Sequence, residues 1–412
     1  MADNKDKKVL NVPALRFPEF TDEWNKYLFD DIAQYKKGPF GSALKKEIFV
    51  PESNDTIKIY EQQNAIKKDW KLGRYFISKD YFINHMQQFV VKAGDIIVSC
   101  AGTIGEMYEL PQNAISGVFN QALMRVRVNT DLIDKNIFIE VFSSMINTFS
   151  KIYSNGSAIK NIPPFADLKR TVVFIPMKNE QEKISKFISL IDERIATQNK
   201  IIEKYESLIQ AIIYKTKTNG ISKGSWQKME LSKVLHERNE KNIDGRTICS
   251  VSVSQGVVNQ VEYLGRSFAA QQTNHYNVVK YGDIVYTKSP TGDFPYGIIK
   301  RSDIEEDVAV SPLYGVYTPS NDNIGVILHF YFMKPSNAFN YLHPLIQKGA
   351  KNTINITNLR FLENFVPLPI SENEAYTIAT TLKTIQKKID IEKRLLQAYM
   401  IEKEYLLRQM FI

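Results

Sequence analysis

The sequence predicts an α+β protein built from two similar globular modules and a pair of long antiparallel coiled-coil helices, related by a pseudo-two-fold internal repeat. Three observations predict this. A leucine-to-proline segment occurs twice, as Leu168-Lys-Arg-Thr-Val-Val-Phe-Ile-Pro176 and Leu359-Arg-Phe-Leu-Glu-Asn-Phe-Val-Pro367, and the copies align without a gap. Each is followed by a polar stretch, Asn179-Glu-Gln-Glu-Lys183 or Ser371-Glu-Asn-Glu374, and then by a long run of helical apolar periodicity. Ahead of each lie short β-branched runs bounded by turn residues, the pattern of strands in a compact mixed module. A repeat that spans half of a 412-residue chain means two copies of one module, because solenoid repeats run only about 20–50 residues.

Bulk properties allow this architecture and exclude others. The chain is long enough for two or three domains with cores of their own, and 43% hydrophobic with 24% charged residues is ordinary for a globular protein. The formal net charge of +8 leans toward a polyanionic partner. Cys100 and Cys249 stand in different halves. Two scattered cysteines build neither a disulfide framework nor a thiolate zinc site, so both are expected as core residues in a reducing compartment. The charged start, Met1 to Lys8, does not resemble a signal peptide. No apolar run is long enough to span a bilayer. A cytoplasmic protein with no membrane partner is expected.

Residues 1–12 read as a flexible N-terminal tail. The first module, 13–177, opens with Leu15-Arg-Phe-Pro-Glu-Phe20 and Trp24-Asn-Lys-Tyr-Leu-Phe-Asp-Asp-Ile32. The second module, 219–370, opens with Trp226-Gln-Lys-Met-Glu-Leu-Ser-Lys-Val234, which shares the tryptophan, the lysine two residues on and the apolar spacing. Inside each, Val91-Lys-Ala-Gly-Asp-Ile-Ile-Val98 matches Val279-Lys-Tyr-Gly-Asp-Ile-Val-Tyr286: Gly-Asp makes a turn and the apolar run after it a strand. Further strands are expected at 88–91, 122–128, 171–175, 248–253, 297–300 and 365–368.

The helices occupy 178–218, ending at Thr218-Asn-Gly220, and 371–412. In the first, Ile184, Ile188, Ile191, Ile195, Gln198, Ile202, Tyr205, Ile209 and Ile212 alternate spacings of four and three. In the second, Ile378, Leu382, Ile385, Ile389, Glu392, Leu396, Tyr399, Lys403 and Leu406 do the same. Such a sustained row is a coiled-coil seam. Pairing the helices antiparallel within the chain sets the fifth member of one row against the fifth of the other, so Gln198 is expected to meet Glu392 and help set register. Helices of roughly 30–38 residues would span about 45–57 Å at ~1.5 Å per residue.

Motifs for catalysis are missing. There is no phosphate-binding Gly-x-x-x-x-Gly-Lys-Ser/Thr and no dinucleotide-binding Gly-x-Gly-x-x-Gly. His236-Glu237 lacks the second histidine of a zinc-protease helix. Asn161-Ile-Pro-Pro-Phe165 approaches the adenine-holding motif of DNA methyltransferases but carries an inserted Ile162, and reads as a proline-rich turn. Pro51-Glu52 with Asp69-Trp-Lys71 is too loosely spaced for a nuclease carboxylate set. The chain is expected to be non-catalytic, with no metal site.

Base edges and phosphates are contacted by amides, hydroxyls, guanidinium and ammonium groups, and both modules carry these in loop clusters. The first offers Lys36, Lys37, Gln62, Gln63, Asn64, Lys67, Arg74, Thr103, Asn120, Gln121, Ser154, Asn155, Gly156, Ser157 and Lys160. The second offers Ser254, Gln255, Gln271, Lys288, Ser289, Thr291, Lys348, Gly349, Lys351 and Asn352. The Gly156 and Gly349 loops sit at comparable positions before the repeated segment, where glycine lets backbone approach a phosphate.

Leu15-Arg-Phe-Pro-Glu-Phe20 followed by Trp24, the Gly-Asp-Ile strand, Thr103-Ile-Gly-Glu106, Phe174-Ile-Pro176 leading to Glu180-Gln-Glu-Lys-Ile184, and the duplicated layout resemble the specificity subunit of type I restriction-modification enzymes. The second copy departs from the pattern, with Glu374-Ala-Tyr-Thr-Ile378 at the helix start. The resemblance implies two target-recognition domains, each reading one half of an asymmetric bipartite site in double-stranded DNA. It implies spacer helices that set the unread interval and dock two adenine-methyltransferase subunits, with motor-nuclease subunits joining for cleavage. S-adenosylmethionine would belong to the methyltransferase subunits and no cofactor to this chain. Two other readings compete: a self-contained DNA-modifying enzyme, and a coiled-coil scaffold with two protein-binding modules.

Overall fold

A computed structural model of the chain describes residues 11–153, 165–266, 269, 272–348 and 354–411. The chain forms two compact units, Met1–Ala196 with Gln397–Ile412, and Thr197–Leu396. Each long helix is therefore shared between units, where the sequence suggested spacer segments separate from the modules.

In the first unit the strand Asn25–Leu28 pairs antiparallel with Val172–Ile175, joining the segment after Trp24 to the repeated segment. In the second unit Trp226–Glu230 pairs with Phe365–Pro369 in the same way. A four-stranded sheet follows in each. Its spatial order is Ala33–Lys37, Leu123–Val128, Ile96–Ser99, Met107–Glu109 in one unit and Leu235–Glu237, Gly315–Pro319, Ile284–Tyr286, Ile299–Arg301 in the other. Both orders place the last strand in sequence second. A further layer repeats as well. Thr56–Tyr60 lies between Phe76–Ser78, antiparallel, and Gly117–Phe119, parallel, with Val90–Val91 beyond. In the second unit Cys249–Ser252 pairs with Gly256–Asn259, Asn277–Val279 with Val308–Val310, and a parallel bridge from Ile248 to Ala309 joins the two ribbons. The repeat is thus a repeat of topology. Four of the expected strands differ only by a residue or two at their ends. Strand structure in 88–91 is confined to Val90–Val91 after a 3₁₀ turn at Gln87–Phe89, and 297–300 becomes Ile299–Arg301.

The Gly-Asp turns show why their sequence recurs. Gly94 and Gly282 have φ of +83° and +88°, a region that favours glycine. Asp95 accepts the Lys92 N–H at 3.0 Å and both arms of Arg127 at 2.7 and 3.0 Å. Asp283 accepts the Lys280 N–H at 2.8 Å and both arms of Arg238 at 2.6 and 3.0 Å. The carboxylate role is the same, but the arginine comes from the strand Leu123–Val128 in the first unit and from just after the strand Leu235–Glu237 in the second.

The helix starts are tied to the modules by the residues that form the family-like pattern. Arg16 grips the buried Glu180 carboxylate with two hydrogen bonds of 2.7 Å. Gln181 donates to Leu132 O and Pro176 O at 2.8 and 2.9 Å and accepts the Asp134 N–H at 2.8 Å. In the second unit the Trp226 indole donates to Glu374 at 2.7 Å. Its counterpart Trp24 is buried, and its indole nitrogen has no hydrogen-bond partner among the described residues. The glutamate that would take it is turned to Arg16 instead.

The helices run over Lys178–Lys223, 46 residues, and Glu372–Met410, 39 residues. The first passes through the expected stop at Gly220. There a Cβ would fall 1.9 Å from the Trp226 ring, so this glycine makes room for the tryptophan. The turn comes at Gly224, with φ of +72° and the Ser225 N–H donating back to Gly220 O at 2.9 Å, a glycine helix terminus.

The seam rows are inward-facing but not confined to helix–helix packing. Ile184 and Ile188 join the first unit's core with Phe138 and Val173, and Leu406 packs against it. Ile202, Ile209, Ile378, Leu382, Ile385 and Ile389 join the second unit's core with Leu231 and Phe361, with Tyr205 and Leu396 against it. Ile191, Ile195 and Tyr399 are half-buried. Within each unit the helix stretches run antiparallel. Gln198 meets Glu392 and Lys393 pairs with Glu206 at 2.9 Å in the second. Lys403 pairs with Asp192 at 2.8 Å in the first.

Candidate nucleic-acid interface

In the first module, four separate stretches of chain meet at one end of the sheets. The Asn120 N–H donates to Tyr60 O at 3.1 Å, the Cys100 N–H to Ala122 O at 2.8 Å, and the Gly38 N–H to Leu123 O at 2.9 Å. These bonds set the loops after Lys37, Tyr60 and Ser99 beside the Asn120–Ala122 turn. The approach at Gly38 is close: a Cβ there would lie 2.0 Å from the Asn120 carbonyl oxygen.

The candidate residues divide by what they do there. Lys37, Gln63, Lys67 and Gln121 are exposed, and Lys36 donates to Gln88 at 2.7 Å while lying 5.1 Å from the Phe89 ring centre. Arg74 is exposed, stacked on Tyr75 and donating to its hydroxyl at 3.0 Å. Asn64 is a correction. It is fully buried, accepts the Glu61 N–H at 2.7 Å and donates to Asp69 O and Leu72 O at 2.9 and 2.8 Å, so it holds the loop and has nothing to offer a base. The Gln62 amide is also spent internally, on Ala101 O and, at 3.0 Å, Thr103 O. It brings Thr103 into the cluster through its backbone while the Thr103 residue itself stays exposed. Asn120 uses its side-chain oxygen on the Ala122 N–H at 3.1 Å.

In the second module the same end carries Ser254 and Gln255, both exposed on a tight hairpin whose Ser252 hydroxyl accepts their N–H groups at 3.3 and 3.4 Å. Ser289 and Thr291 are exposed in the next loop, where Thr291 and Phe294 exchange backbone hydrogen bonds of 3.0 Å. Lys288 is half-buried with φ of +60°, and burial pushes its ammonium below the ordinary lysine range, against the opposing pull of Glu237. Lys348 lies in a short strand, Gln347–Lys348, paired with Ile354–Asn355. Ser154, Asn155, Gly156, Ser157, Lys160, Gln271, Gly349, Lys351, Asn352 and the Asn161–Pro164 near-motif lie outside the described residues.

One residue that the sequence reading passed over stands out. Phe40, in Lys36-Lys-Gly-Pro-Phe-Gly41, is 89% exposed at the tip of this cluster. A phenylalanine set between turn residues in a basic segment was the available signal.

Both cysteines are buried. Burial pushes the Cys100 thiol up to about 12 and the Cys249 thiol up to about 11. Among the described residues no group of His, Cys, Asp and Glu could hold a metal ion, and no helix is long and apolar enough to cross a membrane.

Residues 21–207 match the family model for the type I restriction modification DNA specificity domain. Over 418 residues the chain is 21% identical to the type I restriction enzyme MjaVIII specificity subunit of Methanocaldococcus jannaschii, covering 95% of this chain and 92% of that protein. Its fold is similar to the crystal structure of a type I restriction-modification S subunit from M. genitalium, with TM-score 0.52 and 15% identity over 97% of this chain and 99% of that one. It is also similar, with TM-score 0.50 and 12% identity over 93% and 95% of the two chains, to a chain from a structural study of assembly and conformational transition in the type I restriction-modification system. A family domain matched over residues 21–207, end-to-end similarity to a specificity subunit and a shared fold agree: the chain carries a type I restriction modification DNA specificity domain and is similar over its whole length to the specificity subunits of these systems.

Proposed function

We propose that this chain selects the DNA site for its complex, each module reading one half of an asymmetric bipartite sequence. The observation that carries the reading is the pairing of one repeated topology with two different sets of loop residues at the same end of the sheets. The first module presents Lys37, Gln63 and Gln121 there, the second Ser254, Gln255 and Thr291. A common scaffold with divergent loops suits the reading of two different sequences through base-edge hydrogen bonds. The positive net charge suits phosphate contacts that position the protein without selecting sequence.

The remainder of the proposal follows from the similarity to specificity subunits. The long helices set the number of unread base pairs and dock two adenine-methyltransferase subunits, and motor-nuclease subunits join for cleavage. The chain itself does no chemistry, and S-adenosylmethionine is bound by the methyltransferase subunits.

Reconstitution tests this. The purified chain is expected to transfer no methyl group alone and to confer site-specific methylation on its partner methyltransferase. Exchange of residues 222–358 for another module should change one half of the methylated site. Insertion of one helical turn into both long helices should change the spacer and leave the halves intact. Methylation by the chain alone would support a self-contained enzyme, and assembly without any DNA selectivity would support a protein-binding scaffold.

A further inference from the structure

We propose that Phe40 is an apolar wedge that enters a base step of the duplex at the half-site read by the first module; this rests on the DNA-reading function proposed above. The loop that carries it is braced on both sides. Pro39 and Leu44 are buried, Gly38 is clamped under the Asn120 carbonyl, and the Phe40 carbonyl accepts the Ala43 N–H at 2.9 Å to start the turn Gly41–Ala43. The ring is therefore presented by a loop with little freedom to fold it away. Exposing a full phenylalanine opposes the hydrophobic effect, and a single exposed apolar side chain is ordinary. The surroundings distinguish this one.

Lys37, Lys45 and Lys46 are exposed around the loop, Lys36 is half-exposed, and Glu47 is the one acid between Lys36 and Lys46's next neighbours. An exposed apolar ring in a segment that carries four lysines and one acid fits an occupant with negative charge on its outside and flat aromatic faces between the charges. Duplex DNA has that chemistry, and wedges of this kind part a base step at the cost of stacking while backbone contacts hold the duplex. The Gly38–Asn120 contact also places the wedge beside Gln121, an exposed amide able to read a neighbouring base.

The test uses the complete methyltransferase complex and duplexes carrying its methylated site, with 2-aminopurine substituted in turn at positions of the first module's half-site and permanganate reporting unstacked thymines. The expected result is a step whose unstacking signal is present with the wild-type chain and lost with Phe40→Ala. Affinity should fall about 5- to 150-fold, the range of one aromatic–base stack, and Phe40→Trp should retain both signal and affinity. The melting temperature of Phe40→Ala should equal the wild-type value, because the ring is outside the core. Any base extruded for methylation gives its signal with both proteins and serves as the internal reference. Equal unstacking patterns and equal affinities for wild type and Phe40→Ala would overturn the wedge. So would a Phe40→Ala chain that no longer assembles with the methyltransferase, which would assign the ring to a protein contact. Failure of the wild-type complex to select any site would instead remove the DNA-reading function itself.

Discussion

Gln198 and Glu392 face one another, with the Gln198 amide donating to the Glu392 carbonyl oxygen at 3.3 Å and also to its carboxylate. Gln198 is buried, and Ile202 and Ile389 nearby are buried too. A polar pair in an apolar seam is satisfied in one register only. Glu392→Ala should lower the stability of the second unit by about 1 kcal/mol, the ordinary worth of such a bond. Replacing both residues by leucine should raise the melting temperature while hydrogen exchange along the helices becomes faster and less uniform. A neutral Glu392→Ala in thermal melts would show that the contact sets nothing.

Asp95 and Asp283 do the same work in the two units, each closing its own turn and holding an arginine through two hydrogen bonds. Removing one charge of a fully buried pair costs about 3–5 kcal/mol; here the carboxylates are buried and the arginines half-buried, so the cost should run from about 1 kcal/mol up toward that range. Asp283, in contact with the less exposed of the two arginines, should sit at the upper end. Urea unfolding of Asp283→Asn and Asp95→Asn should each show loss of one unit at lower denaturant while the other holds. Simultaneous loss of both units would contradict the division of the core.

Gly220 and Gly224 make opposite demands. Gly220 lies in the helix, where alanine ordinarily adds about 1 kcal/mol, yet Gly220→Ala should destabilise by more than that because its methyl would meet the Trp226 ring at 1.9 Å. Gly220→Ala combined with Trp226→Leu should recover part of the loss. At Gly224 nothing lies within 4 Å of an added Cβ, so Gly224→Ala should cost only the strain of φ +72°, about 1 kcal/mol. Circular dichroism melts compare them directly.

Lys300 is buried on the strand Ile299–Arg301, and burial pushes its ammonium down to about 8. Its folded value lies below its unfolded value, so between about pH 8 and the ordinary lysine range near 10.5 the unfolded chain binds more protons and stability rises with pH. Below pH 8 the cost of the buried charge is complete. Lys300→Met should therefore be more stable than wild type at pH 7, by a difference on the order of 3–4 kcal/mol at ~1.4 kcal/mol per pH unit, and the advantage should fade by about pH 10.5. A constant advantage across that range would assign it to packing alone.

Lys37 and Lys46 are exposed beside the Phe40 loop. If they meet phosphates, Lys37→Ala and Lys46→Ala weaken binding to all sequences alike, and each lowers the slope of log affinity against log salt by about 1. A change in the methylated sequence would assign base reading to the lysine instead.

Periodicity and turn chemistry are local properties, and they were legible in the residues alone: the heptad rows, the Gly-Asp turns, the strand at each repeated segment and the duplication itself. Where a pattern served packing at a distance, the residues by themselves misled. Gly220 reads as a helix stop because glycine usually is one; only the Trp226 ring beside it makes it a helical spacer. Asn64 and Gln62 read as base-reading amides, but Asn64 spends its amide on carbonyls of its own loop and Gln62 donates to carbonyls of the loop after Ser99. Phe40 reads as one apolar residue among many until its exposure at the convergence of four loops is seen. The sequence by itself determined that there are two modules, two seams and a mid-seam polar residue in each. Tertiary structure decided which polar groups remain free and which helix stretch belongs to which core, because hydrogen-bond satisfaction and close packing depend on chain segments far apart in sequence that only the fold brings together.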